Sequence, residues 1–139
     1  MEEEKFRLVV VTPTSKPADT EVTFVAAPGS EGEFGVLSGH TEFLTTLKPG
    51  VIKYVSDDVE HFLSVSWGYA EVKGDSVTIL AETSERAEDI DVERAKNDFE
   101  HWQKELSSLS PDDENRPKYE LKLERAKARI DTISQLQNK

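Results

Sequence analysis

Hydrophobic and polar positions alternate through the front part of the chain and recur at threes and fours through the rest. Phe6, Leu8 and Val10 share one side of residues 6–11, and Pro13 and Pro17 then remove backbone donors and end the run. Residues 20–27 set Val22, Phe24 and Ala26 against Glu21, Thr23 and Val25, the pattern of one half-buried strand. Residues 51–56 bring Ile52 and Tyr54 to one face, and Asp57-Asp58 predicts a hairpin turn into residues 59–66. Residues 67–73 continue the meander, Gly74-Asp75 turns it, and residues 76–81 alternate on Val77, Ile79 and Ala81. Short strands joined by turns, with no helical period between them, predict an antiparallel sandwich or barrel.

Residues 26–50 hold five of the seven glycines, together with Pro28, Pro49 and His40. Short apolar pieces (Phe34, Val36, Leu37; then Phe43, Leu44, Leu47) are separated by Pro-Gly, Ser-Glu-Gly and Ser-Gly punctuation. Such clusters mark tight turns. A phosphate cradle would need GxGxxG or GxxxxGK spacing between a strand and a helix, and Gly29, Gly32, Gly35 and Gly39 fit neither. Sheet corners are the expectation.

From Glu82 the period changes. ETSERAEDID reads as a polar hinge, after which Val92, Ala95, Phe99, Trp102, Leu106 and Leu109 recur at alternating spacings of three and four. That is one apolar stripe along a helix, with Asp89, Asp91 and Glu93 near its start to cap free N–H groups. Ser110-Pro111-Asp112-Asp113 ends it, and Pro117 lies near the start of a second helix striped by Leu123, Ala126, Ile130 and Ile133. The predicted fold is α+β: an N-terminal antiparallel β-sandwich over residues 1–86, then a C-terminal antiparallel two-helix hairpin over residues 87–139. Both stripes are narrow. A hairpin with so thin a core is expected to dock on something or to open readily.

Composition sharpens this picture in one respect. Residues 92–139 carry ten Lys/Arg and ten Asp/Glu, whereas residues 1–91 carry seven against eighteen, so the whole net charge of −11 falls on the front part. That surface should repel nucleic acid and anionic lipid, and it suits either a basic partner or simply water, as a solvated face kept soluble by its charge. With no cysteine there are no disulfides, thiolate metal sites or cysteine nucleophiles, and His40, His61 and His101 lack metal-ligand spacing. The acidic start has no secretory core, and no apolar run approaches the roughly 20 residues a membrane span needs.

No organised active site is legible. The carboxylate pairs Asp57-Asp58 and Asp112-Asp113 fall in predicted turns, where sequence neighbours do not face one another as acid and base. A sharper constellation lies on the helices. Lys118, Lys122, Arg125 and Arg129 form one basic stripe, and antiparallel folding would bring Arg94, next to the small Ala95, toward Arg125 and Arg129. Guanidiniums around such a gap could hold a polyphosphate. On side-chain physics alone the preferred reading is plainer: a polar face whose arginines pair with Glu120, Glu124 or Asp131.

The segment APGSEGEFGVLSGH, followed by a leucine-bearing piece and LKPGV, resembles the epsilon subunit of F-type ATP synthases. Ser38 stands where that family usually has proline, and Thr41-Glu42-Phe43 where Ala-Pro-Leu is common. Ile90-Asp91-Val92-Glu93-Arg94-Ala95 is similar to the I/L-D-x-x-R-A motif by which bacterial epsilon subunits bind ATP. Arg125 and Arg129 match two later arginines of that site, Glu85 an upstream acid, and His101 stands where a further arginine is frequent. The resemblance implies a non-catalytic regulatory subunit with no required cofactor and no metal. It implies ATP as a regulatory ligand at Glu85, Ile90, Asp91, Arg94, Ala95, Arg125 and Arg129. It also implies a sandwich that binds the gamma subunit and the c-ring, with Glu31 and His40 facing the ring's polar loops. The helices would reach the catalytic alpha and beta subunits when extended. The implied location is peripheral, on the cytoplasmic face of the inner membrane, without insertion. Two rivals are a free-standing ATP-binding sensor and a small hydrolase using a carboxylate pair.

Overall fold

Phe6, Leu8 and Val10 are buried while Arg7 between them is exposed, and the same period of two makes a sheet of the front part. The computed structural model describes residues 4–138. Its strands are β1 (Phe6–Val11), β2 (Ala18–Val22), β3 (Phe24–Gly29), β4 (Gly32–Val36), β5 (Phe43–Leu47), β6 (Gly50–Ser56), β7 (Val59–Val65), β8 (Gly68–Lys73), β9 (Ser76–Ala81) and β10 (Ser84–Arg86). A 3-10 turn, Ala87–Asp89, leads into α1 (Val92–Ser107) and then α2 (Arg116–Gln137).

Neighbouring strands run in the order β10-β7-β6-β3-β5-β8-β9-β1-β2, with β4 beside β3. Only the pair Gly29 and Leu47 joins β3 to β5, and there the sheet folds over. Leu8, Val10, Val72 and Ile79 from one half then meet Val25, Ile52, Leu63 and Val65 from the other in a shared core. At the opposite margin the Ser56 hydroxyl donates to the Glu21 carbonyl at 2.9 Å, tying β6 to β2. The result is the expected sandwich.

Asp57 and Asp58 form the β6–β7 turn with φ of 51° and 64°, the two left-handed residues of a tight hairpin. Three details differ from the sequence reading. Residues 20–27 are not one strand: β2 pairs with β1, β3 pairs with β4 and β6, and the chain changes partners at Thr23. β1 and β9 run parallel, since strands far apart in sequence need no hairpin between them. The polar hinge contains β10, which pairs with β7 and buries the Ser84 hydroxyl as a donor to Ser64 O at 2.7 Å.

The helices start where the capping chemistry placed them. The Asp91 carboxylate accepts from the Arg94 amide at 3.1 Å as N-cap of α1, and Pro117 occupies the first turn of α2. α2 lies across β6 and β7, and α1 packs on α2. One face of α2, with Ile130 and Ile133, closes a small cluster with Ile90, Val92 and Ala95. Ala128 and Thr132, also buried, project from the other side, roughly 150° away at 100° per residue. The Thr132 hydroxyl is satisfied by donating to Ala128 O at 2.7 Å. With α2 over it, β7 is buried at Phe62, Leu63, Ser64 and Val65 in succession, so both of its faces are covered.

Candidate functional site

Positions 94, 98 and 102 are one turn apart and share a side of α1. Arg94, Asp98 and Trp102 from that side face Lys122, Arg125, Ala126 and Arg129 of α2 across a cleft of about 160 Å³. Four cations and one carboxylate line it, so an anion is the ligand it can hold. The volume is below the roughly 300–1,000 Å³ of pockets that enclose a drug-sized molecule. A phosphate chain fits inside, and any larger group attached to it would lie over the rim.

Arg129 is the structural centre of the cleft. Its side chain is only 12% exposed, and Nε approaches Glu85 Oε1 at 2.8 Å while Nη1 lies 3.6 Å from Asp98 Oδ2. Nε has no in-line hydrogen-bond acceptor despite that close approach, so the contact with Glu85 is an ion pair made off the N–H axis. Glu85 belongs to β10 and Asp98 to α1, so one guanidinium joins sandwich, α1 and α2. Lys122 Nζ sits 5.0 Å from the centre of the Trp102 ring, which also tilts against Tyr119 at 5.1 Å. Among the described residues Arg94 and Arg125 form no ion pair. Among the described residues none of these arginines pairs with Glu120, Glu124 or Asp131 as a plain polar face would have it; Glu120 pairs instead with Arg116, at 3.2 Å.

The structure therefore brings Arg94, Arg125 and Arg129 together and keeps Glu85 in contact with the group. Asp91 is occupied in capping α1. Ile90 and Ala95 are buried with Ile133 and do not line the cleft, where the small residue is Ala126. Lys118 also lies outside the lining, and His101 flanks it, edge-on to Trp102 at 4.6 Å. Sequence reading missed Asp98 as an inward-facing group, although its spacing from Arg94 was the signal. Glu31 and His40 are both exposed and lie at opposite ends of β4. His40 Nδ1 is 2.9 Å from Thr41 O, and its ring meets Phe43 edge-on at 5.5 Å.

A second concavity, unforeseen from the sequence, lies on the sandwich: an open apolar groove of about 730 Å³ lined by Val11, Pro13, Leu47, Trp67, Tyr69 and Leu80. No described helix is long and apolar enough to cross a membrane.

Residues 5–87 match the family described as ATP synthase, delta/epsilon chain, beta-sandwich domain, and residues 88–134 match its long alpha-helix domain. The chain belongs to the ATP synthase delta/epsilon chain family. It is 47% identical over 127 residues to the ATP synthase epsilon chain of Citrifermentans bemidjiense, covering 91% of this chain and 92% of that one. To the epsilon chain of Geotalea uraniireducens it is 44% identical over 136 residues, with 98% and 99% covered. Epsilon chains are non-catalytic stalk subunits, and this chain is one of that kind. In three dimensions it is similar to a chain in the Euglena gracilis mitochondrial ATP synthase (OSCP/F1/c-ring, rotational state 1), with a TM-score of 0.78 at 21% identity, covering 100% of this chain and 89% of that one. That likeness concerns the fold.

Proposed function

We propose that the chain is the regulatory central-stalk subunit of a proton-translocating F-type ATP synthase. Its sandwich binds the gamma subunit and the c-ring and transmits rotation, with Glu31 and His40 turned toward the ring. Its helices restrain ATP hydrolysis by moving between the docked hairpin and an extended form that reaches the alpha and beta subunits. ATP in the interhelical cleft favours the docked form. The assembly works as a peripheral complex on the cytoplasmic face of the cell membrane.

The observation that carries this reading is the separation of the two cores. The sandwich has its own cluster of buried residues, and the hairpin has a second, much smaller one around Ile90, Ala95 and Ile133. The hairpin can leave without dismantling the sandwich, and a ligand bound only to one arrangement shifts the equilibrium by its differential affinity. The exposed Tyr69 and Leu80 beside the apolar groove supply surface for an assembled partner.

Cutting the chain at Glu88 tests the division. The truncated chain should still co-purify with gamma, and synthase assembled with it should hydrolyse ATP faster than synthase carrying the whole chain. Loss of gamma binding by the truncated chain alone would mean that the helices, not the sandwich, hold the stalk.

A further inference from the structure

We propose that Asp98 is a built-in competitor of the anionic ligand: its carboxylate partners Arg129 and must withdraw when a polyphosphate enters. The inference rests on the reading of the cleft as a nucleotide site and adds the group that sets its affinity.

Two carboxylates hold Arg129, and they differ in place and freedom. Glu85 approaches Nε at 2.8 Å from β10 and does not line the cleft. Asp98 lines the cleft itself, between Arg94 and Trp102 along α1. Its contact with Nη1 is 3.6 Å, beyond the hydrogen-bonding range, so it is an ion pair that a better acceptor can replace. Phosphate oxygens are such an acceptor, because they can take bidentate, charge-assisted bonds from a guanidinium. The Asp98 side chain is 44% exposed, so it can swing into water once Arg129 is taken. Glu85 can stay, continuing to fix Arg129 from the sandwich side.

Electrostatics makes Asp98 an opponent of the ligand as well as a placeholder. Any phosphate reaching Arg129 comes within a few ångströms of the Asp98 carboxylate, and like charges repel more strongly beside a poorly solvated guanidinium than in open water. Arg94 and Arg125, unpaired among the described residues, supply the attraction that overcomes this. The net affinity is the difference between the attraction of the four cleft cations, with Arg129 still held by Glu85, and the cost of the one carboxylate that has to move. Since the repulsion falls on the phosphates, it acts on any linear triphosphate, whatever is attached to it.

Calorimetric titration of the full chain with ATP and, in parallel, with inorganic tripolyphosphate tests this on the wild type, Asp98→Asn and Asp98→Ala, with thermal melts confirming that each variant folds. Both variants should bind both ligands about tenfold more tightly, the size of one like-charge repulsion removed at a half-exposed position. Wild-type binding that either variant leaves unchanged or weakens overturns the competitor role while leaving the nucleotide reading standing. A gain confined to ATP also overturns it, because Asp98 would then act on base or sugar. Failure of wild type and variants alike to bind either anion overturns both.

Discussion

Gly68→Ala should lower the melting temperature of the sandwich by roughly 12–24 °C, the largest stability loss expected from so small a change. Gly68 opens β8 opposite Ala81 of β9. A Cβ there would overlap the carbonyl oxygen of Leu80 and stand 2.9 Å from the Ala81 Cα. Both obstacles are backbone, so no side chain can rotate out of the way, and the two strands must part. Overpacking of this kind costs about 3 kcal/mol or more, a large share of the roughly 5–15 kcal/mol that stabilises a domain. Gly74→Ala is the control, since nothing lies within 4 Å of its added Cβ. If both variants melt within a degree or two of the wild type, the close approach of β8 and β9 is not as described.

Arg129→Ala should release the hairpin while leaving the sandwich folded. The guanidinium is nearly enclosed and is the point at which β10, α1 and α2 meet. Removing a partner from a fully buried pair costs about 3–5 kcal/mol. Here Glu85 and Asp98 are 37% and 44% exposed and keep water, so the loss should be nearer 2 kcal/mol. Part of it is the aliphatic stem, which packs whatever its charge. Amide hydrogen exchange separates the two cores: amides of α1 and α2 should exchange faster, and those of β1, β8 and β9 should not change. Equal acceleration throughout would show that hairpin and sandwich open as one unit. Arg129→Lys, which keeps the charge but not the planar fork, should fall between the two.

Periodicity made much of the fold legible because strands such as β1, β8 and β9 have one wet face. The Asp57-Asp58 and Gly74-Asp75 turns could be read for the same reason, since turn residues carry their backbone demands locally. What stayed hidden was set by partners distant in sequence. Alternation runs unbroken through Thr23, so nothing local marks where the chain leaves β1 for β6. β10 looked like a hinge because Ser84, Glu85 and Arg86 are polar, and its strand character comes from pairing with β7. The sheet-facing side of α2 went unseen because Ala128 and Thr132 are small or hydroxylated and make no apolar stripe.

The candidate site divides along the same line. Arg94, Arg125 and Arg129 could be brought together on paper, because helix spacing and an antiparallel hairpin fix which faces meet. The role of Asp98 depends on which way Arg129 turns, and that is decided by Glu85 on a strand the sequence did not reveal. Ala95 lies next to Arg94 in sequence yet is enclosed with Ile90 and Ile133, so the open position beside the arginines is Ala126 of the other helix.

The central claim is that the interhelical cleft is a working nucleotide site, and calorimetric titration of the full chain with ATP tests it most directly. Arg94→Ala and Arg125→Ala are the comparison, since both side chains line the cleft without holding the fold together through an ion pair. The wild type should bind, more weakly as salt is raised, and each variant should lose about 1.5–3 kcal/mol, the worth of a charge-assisted hydrogen bond. No heat of binding at millimolar ATP, or titration curves that both variants leave unchanged, would contradict the account and reduce the arginines to a solvated helix face.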